Sequence, residues 1–112
     1  MGGYSVYYGH LHNHSTVSDG TGTPDDAYSY ARNIAGLDYF SLSDHVDDIV
    51  EAEWASVITA AEKYNEDGAF ATFWGFEWSG SGHVTVINTD DYTEISDDPA
   101  GTFVELCACR II

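Results

Sequence analysis

Basic residues are scarce in this chain of 112 residues. Arg32, Lys63 and Arg110 stand against 19 acidic residues, which gives a formal net charge of −16. Nucleic acids and anionic membranes are bound through many Lys and Arg contacts, so the composition argues against either as a partner. The excess of carboxylates instead attracts cations, although a solvated acidic surface explains most of these residues.

Cysteine and long apolar runs are also scarce. Cys107 and Cys109 are too close in sequence for an ordinary disulfide and too few for a zinc knuckle, so we expect free thiols. Free thiols are typical of a reducing compartment. No apolar run reaches the ~18 residues that a membrane span needs, and the first residues do not follow a signal-peptide pattern. The default expectation is therefore a cytoplasmic location.

The remaining composition is that of a packed domain. Apolar residues make up 44% of the chain and aromatic residues 14%, which is unlike a disordered segment. The length fits one domain or part of one.

Two segments have the pattern of amphipathic helices. Thr23, followed by Pro24 and two acidic residues, is a strong helix start, and Gly36 is a suitable helix end. The apolar stripe predicted for this helix is Ala27, Tyr30, Ala31 and Ile34. A second helix is predicted from about residue 48 to residue 65, with an apolar face of Val50, Trp54, Val57, Ile58 and Ala61.

Four segments have the pattern of β-strands. They are residues 4–12, 38–42, 69–74 and 83–88, and the stretch from Asp90 to Gly101 has no regular pattern. The predicted order is strand, helix, strand, helix, strand, strand. Such alternation implies right-handed βαβ units, so the predicted fold class is α/β with parallel strands and flanking helices.

Three histidines alternate at the end of the first predicted strand, at His10, His12 and His14. Side chains repeat every two residues along a strand, so these three would project from one face. Neutral imidazole is a common ligand of zinc and iron, and the carboxylate of Asp19 follows in a turn. Taken alone, a His-x-His pair is more often two partly buried histidines with ordinary neighbours.

Further polar side chains occur where the later strands end. His45 follows the second predicted strand, Glu77 follows the third, and His83 begins the fourth. In parallel α/β folds the carboxyl ends of the strands meet at one rim, where ligands bind. We therefore expect these residues to meet the histidines of the first strand. The predicted metal ligands are His12, His14, Asp19, His45, Glu77 and His83.

At these positions the chain resembles the PHP family, named for polymerase and histidinol phosphatase. The similar segments are His12-Asn13-His14, Ser18-Asp19-Gly20, Ser43-Asp44-His45, Gly75-Phe76-Glu77 and Gly82-His83. Within the family the chain is most similar to the stand-alone metallohydrolases of the carbaryl-hydrolase group, the CehA/McbA-like members. We interpret residues 1–112 as a partial PHP-like domain, in which residues 1–92 match the family pattern and residues 93–112 form an atypical tail.

The resemblance implies a fold and a metal centre. The fold is the N-terminal part of a distorted (β/α)7 barrel, and the centre contains two or three divalent ions (zinc, manganese or iron) at the carboxyl-terminal rim. Carried over residue by residue, the assignment is His12 and His14 to the first ion, Glu77 between the first and second, His83 to the second, and Asp19 and His45 to the third.

The resemblance also implies an activity. A metal-dependent phosphoesterase would hydrolyse a small-molecule phosphate ester, or a related ester, through a metal-activated water, with Glu77 and His83 as catalytic residues. The family's later ligands have no counterpart here, because no histidine follows His83. The alternative is therefore an incomplete or degenerate metal-binding module without catalytic activity. A partial barrel would also leave sheet edges unpaired, which favours self-association.

Four other residues, outside the predicted ligand set, have lesser expected roles. Asp44 has no ligand role in the resemblance, and we expect its carboxylate to orient a histidine. His10 is expected beside the ligands or at the rim. Cys107 and Cys109 are weak candidates for a further, soft ligand.

Overall fold

The computed structural model describes residues 2–80 and 82–92, so the expectations for Cys107, Cys109 and the tail lie outside the described residues. The strands are β1 (Gly9–His10), β2 (Tyr39–Ser41), β3 (Asp44–His45), β4 (Ala71–Phe73), β5 (Gly75–Ser79) and β6 (His83–Ile87). The helices are α1 (Pro24–Asn33) and α2 (Glu51–Tyr64), and a 3-10 turn occupies Val46–Asp48. No helix within these ranges is long and apolar enough to cross a bilayer.

The strands form two three-stranded sheets, and the chain passes from the first sheet to the second between β2 and β3 and again between β4 and β5. One sheet has the order β1-β2-β4, and its pairs are parallel. The other has the order β3-β5-β6, in which β3 and β5 are parallel and β5 and β6 are antiparallel. The predicted strands 38–42 and 69–74 correspond to β2 and β4, and after short interruptions at Leu42-Ser43 and Trp74 the chain forms two strands that were not predicted, β3 and β5. The α/β class with parallel strands is confirmed, whereas the described residues do not show a closed barrel.

The first strand is much shorter than predicted. Residues 4–12 were expected to be extended and paired, but only Gly9 and His10 pair with β2. The Tyr8 N–H donates to the side chain of Asp38 instead of a strand carbonyl, which ends the ladder there. The aromatic and β-branched side chains before this point are exposed: Tyr4, Val6, Tyr7 and Tyr8.

Helix α1 begins as its sequence predicts but buries a different stripe. Thr23 is the N-cap, its hydroxyl accepts from the Asp26 N–H, and the Asp26 carboxylate accepts from the Thr23 N–H. Of the predicted stripe, Ala31 is buried, but Tyr30 and Ile34 are 61% and 72% exposed and line a cavity of about 720 Å³. The sheet contacts the neighbouring face of the helix, where Tyr28 is fully buried.

Among the described residues, helix α2 supplies five of the fifteen buried core residues, more than any other element. It begins at Glu51, later than predicted, because the 3-10 turn and an extended Val50 precede it, and Val50 is exposed. Trp54, Val57 and Ala61 are buried as predicted, and Ile58 is partly buried. The buried residues of the other elements pack against this face: Tyr28, Ala31, Phe40, Leu42, Val46, Phe70, Phe76 and Trp78.

The buried hydroxyl of Tyr28 joins the two strand interruptions. It donates to the carbonyl of Phe73 and accepts from the Leu42 N–H at 3.2 Å. Burial raises the pKa of this phenol, so the group stays neutral and can donate. The two interruptions therefore lie close together, and the segments beyond them carry the polar side chains described next.

Candidate metal centre

Asn13 fixes the two histidines that follow β1. Its backbone carbonyl accepts from the Ser43 N–H at 2.7 Å, its backbone N–H donates to the Ser43 hydroxyl at 3.2 Å, and its side-chain amide donates to the Ser41 carbonyl at 2.9 Å. The segment is therefore attached to the neighbouring strand at Asn13. This attachment leaves the flanking side chains, His12 and His14, on the side that faces Glu77.

Glu77 lies at the centre of the cluster. It is on β5 directly opposite His45 of β3, and its side chain is only 3% exposed. Its Oε2 lies 3.3 Å from Nε2 of His12, 3.0 Å from Nε2 of His14 and 3.2 Å from Nδ1 of His45. Its Oε1 lies 2.7 Å from Nδ1 of His83. One carboxylate thus contacts four histidines from three separate segments of the chain.

His12, His14 and Glu77 form a group of donor atoms that fits a metal ion. The two Nε2 atoms are 3.2 Å apart, and the Glu77 Oε2 lies 3.0 to 3.3 Å from both. A tetrahedral ion with bonds of about 2.0–2.1 Å holds its ligand atoms about 3.3 Å apart. The triangle therefore has the size and the chemistry of three ligands of one zinc-like ion.

A second group of donor atoms that could hold an ion consists of His14, Asp19 and His45. Its Oδ1 lies 2.6 Å from Nδ1 of His14, and its Oδ2 lies 3.4 Å from Nε2 of His45. His14 thus presents Nε2 to Glu77 and Nδ1 to Asp19. If Nδ1 carries the proton and donates it to Asp19, the lone pair on Nε2 is free for an ion in the first group.

The carboxylates of both groups are held ionised. The hydrogen bond from His14 is the main reason that the pKa of Asp19 lies below its usual value. Burial raises the pKa of Glu77, but the hydrogen bond from His83 and the charges of nearby histidines outweigh it, so the net shift is downward. Both groups therefore offer anionic oxygen to a cation at neutral pH.

The structure brings all six predicted ligands into one cluster, while their role as ligands stays a prediction. His83 contacts Glu77 but belongs to neither three-residue group among the described residues. His10 does not share the face of the other two histidines, because β1 ends at His10 and the alternation of a strand is lost. Its ring contacts the backbone carbonyl of His12 instead.

Two contributors to the cluster were missed or misassigned from the sequence. Thr85, on β6, has its hydroxyl 3.1 Å from Nδ1 of His12 and can fix the tautomer that leaves Nε2 free. The period of two along β6, which places Thr85 on the same face as His83, could have indicated it. Asp44 was expected to orient a histidine, but within the described residues its carboxylate accepts hydrogen bonds from Ser15 and Ser18, in the loop that carries Asp19.

Comparison with known structures supports the fold. The chain is similar to a proposed metal-dependent phosphoesterase from Bifidobacterium adolescentis, with a TM-score of 0.57 and 23% sequence identity. The similarity covers 77% of this chain and 29% of that one, so this chain spans less than a third of the larger protein. Among curated proteins, none matches this sequence.

Comparison with protein families gives a match that includes β2 to β6 and so contains His45, Glu77 and His83. Residues 38–95, which are more than half of the chain, match the family described as protein of unknown function DUF3604. The chain therefore belongs to the DUF3604 family.

Proposed function

We propose that this chain carries the metal centre of a metal-dependent hydrolase of the PHP phosphoesterase type, acting on a small-molecule phosphate ester or a related ester. The observation that carries the proposal is the convergence of four histidines on the buried Glu77 carboxylate. The first group has three protein donors, and the second shares His14 with it, so Asp19 and His45 are the donors left to the second when His14 Nε2 binds the first ion. Structural zinc sites are closed by four protein ligands, whereas catalytic sites have three and leave a position for water or substrate.

The donor set favours zinc, manganese or iron as the ion. Imidazole suits zinc and iron, and carboxylate oxygen suits manganese, so a mixed set is compatible with all three. His12, His14 and Glu77 would hold one ion, and Asp19 with His45 would hold another. Glu77 and His83 are the candidates for a further shared ion, which gives the proposed total of two or three.

The residues of this chain would orient and protonate the reacting groups. Ions bound here would supply Lewis-acid charge to the ester oxygens and lower the pKa of water. The side chain of His83 is 65% exposed, and its Nδ1 is fixed by Glu77. In the absence of a shared ion, Nδ1–H donates to Glu77, and Nε2, on the other side of the ring, can hold a proton for the leaving group.

The negative charge of a phosphate substrate would have to be met by the ions. Arg32 and Lys63 are the basic side chains among the described residues, and they contact Glu66 and Asp25, away from the cluster. No described Lys or Arg therefore faces the substrate position. Among the described residues, bound ions are therefore the proposed source of positive charge for an anionic ester.

We also propose the finer assignment within the family, a distorted (β/α)7 barrel of the CehA/McbA-like kind. The support is the parallel order of the strands, the polar residues beyond their carboxyl ends, and a fold likeness that covers 77% of this chain. Because the chain corresponds to 29% of the larger neighbour, closure of the barrel requires strands other than the described ones.

The proposed function predicts bound ions and turnover together. The purified chain, loaded with Zn²⁺ or Mn²⁺ and desalted, is expected to retain two or three ions per chain by elemental analysis. It is expected to hydrolyse 4-nitrophenyl phosphate or its bis-ester, and activity should disappear with chelator and return with the ion. Retention of an ion without turnover would instead support the degenerate metal-binding module, and a folded chain without any ion would contradict the proposal.

Self-association is a second expected property of the chain. Within the described part, β1 pairs only with β2, and exposed Val6, Tyr7 and Tyr8 lie next to this edge. Such an edge is a template for pairing with another chain. Light scattering at increasing concentration should show dimers or larger species, and Val6→Lys should shift them toward the monomer. A chain that stays monomeric at all concentrations would contradict this prediction.

A further inference from the structure

The most buried carboxylate outside the ion-binding groups is that of Asp44, which is 1% exposed. Its Oδ1 accepts three hydrogen bonds, from the Ser15 N–H at 2.6 Å, the Ser18 hydroxyl at 2.8 Å and the Ser18 N–H at 3.2 Å. Its Oδ2 accepts a fourth from the Ser15 hydroxyl at 2.9 Å. All four donors belong to one short loop, and charge-assisted hydrogen bonds of this kind are about twice as strong as neutral ones.

The loop held by Asp44 is compact and carries Asp19. The Gly20 N–H donates to the Ser15 carbonyl at 2.8 Å, which closes a tight turn around Asp19. A Cβ at Gly20 would lie 2.0 Å from the carbonyl oxygen of His14, so the backbone there can approach only with glycine. The position of the Asp19 carboxylate therefore depends on the hydrogen bonds that hold Ser15 and Ser18.

Asp44 also precedes His45 directly in β3. The two side chains point to opposite faces of the strand, so Asp44 holds the loop while His45 faces Glu77 and Asp19. One dipeptide thus sets the distance between the strand that carries His45 and the loop that carries Asp19. Asp44 makes no hydrogen bond with a side chain of His12, His14 or Glu77, and although Ser15 follows His14 in the chain, the segment that carries His12 and His14 is attached separately through Asn13.

We propose that Asp44 is a positioning residue for the second ion-binding group, made of His14, Asp19 and His45, and has little effect on the first. This inference rests on the proposed metal centre. The mechanism is geometric: without the Asp44 carboxylate the loop loses four hydrogen bonds, and Asp19 is no longer held 3.4 Å from His45. Loss of such an outer partner typically lowers metal affinity about 10–100-fold.

The test is a Zn²⁺ titration of the full chain against a chromophoric chelator, with Co²⁺ absorption as a second readout of each site. His12→Ala and Asp19→Ala assign the two binding steps to the first and second groups. Asp44→Ala is expected to weaken the second step about 10–100-fold and to leave the first within about threefold. Asp44→Asn keeps an acceptor at the Oδ1 position but loses the charge, so it should weaken the second step by about tenfold or less.

Thr72→Val is the matched control. It removes a different part-buried hydrogen bond, from the Thr72 hydroxyl to the Ala61 carbonyl, and leaves the loop that carries Asp19 unchanged. It should lower stability and leave both binding steps unchanged. If Asp44→Ala does not fold, Ser18→Ala replaces it and should weaken the second step alone. Equal weakening of both steps, or unchanged binding of the second ion in a folded Asp44 variant, would overturn the inference. Unmodified chain that binds no ion would overturn the proposed metal centre and this inference with it.

Discussion

Glu77→Gln is expected to abolish ion binding at the group of His12, His14 and Glu77. The side chain keeps its shape, but it loses its charge and one of its two acceptor oxygens becomes a donor. Loss of an outer partner already costs about 10–100-fold in metal affinity, so loss of this direct ligand should cost at least about 100-fold. Elemental analysis, Zn²⁺ titration and ester hydrolysis should all report the loss.

The fold of this variant should survive. Burial of Glu77 opposes its ionisation, and the neighbouring histidines compensate for it, so the neutral amide removes a charge that is costly to bury without a cation. Glu62→Gln is the matched control, because Glu62 is exposed on α2 and the change in net charge is identical. It should bind and turn over like the unmodified chain. A folded Glu77→Gln variant with unchanged Zn²⁺ affinity would contradict the assignment of Glu77 as a ligand.

Phe76→Ala is expected to have the largest effect on stability. Phe76 is fully buried, and its ring packs edge-on against Trp54 with centroids 6.1 Å apart. Removal of a buried phenyl ring typically costs about 3–5 kcal/mol through lost transfer energy and the cavity that remains. Domains of this size are stable by about 5–15 kcal/mol in total, so the variant should be largely or marginally unfolded.

Urea unfolding followed by circular dichroism measures this effect. Chelator must be present, because an ion that binds only the folded chain would add stability of its own. Phe76→Leu should cost about 1.5 kcal/mol or less, since it keeps most of the volume. Tyr4→Ala removes a ring that is 99% exposed and should change stability by less than about 0.5 kcal/mol. An unfolding midpoint of Phe76→Ala close to that of Tyr4→Ala would contradict the described core.

Local chemistry made parts of the fold predictable from the sequence. The start of α1 depends on Thr23 and Asp26 alone, which bond to each other across a single turn, so the pattern of these residues is sufficient. The convergence of polar side chains was predictable for a different reason. It follows from the rule that parallel strands end at the same rim, and this rule needs only the order of the elements.

Features that depend on distant partners were not predictable. Tyr28 and Tyr30 are the same residue type, so only the position of the sheet decides that Tyr28 is buried and Tyr30 is exposed. The point at which β1 begins depends on Asp38, thirty residues away in sequence, whose side chain accepts a hydrogen bond from the Tyr8 N–H. The role of Asp44 depends on the path of the loop at Ser15 and Ser18, which no periodicity encodes.

The alternation along β5 has a consequence for how this chain can change in evolution. Phe76 pairs with Asp44 across the ladder and enters the core, while its neighbour Glu77 pairs with His45 and faces the cluster. Deletion or insertion of one residue just before this dipeptide would send the carboxylate among the apolar side chains and the phenyl ring among the histidines. A single change of length here would therefore remove stability and chemistry at once.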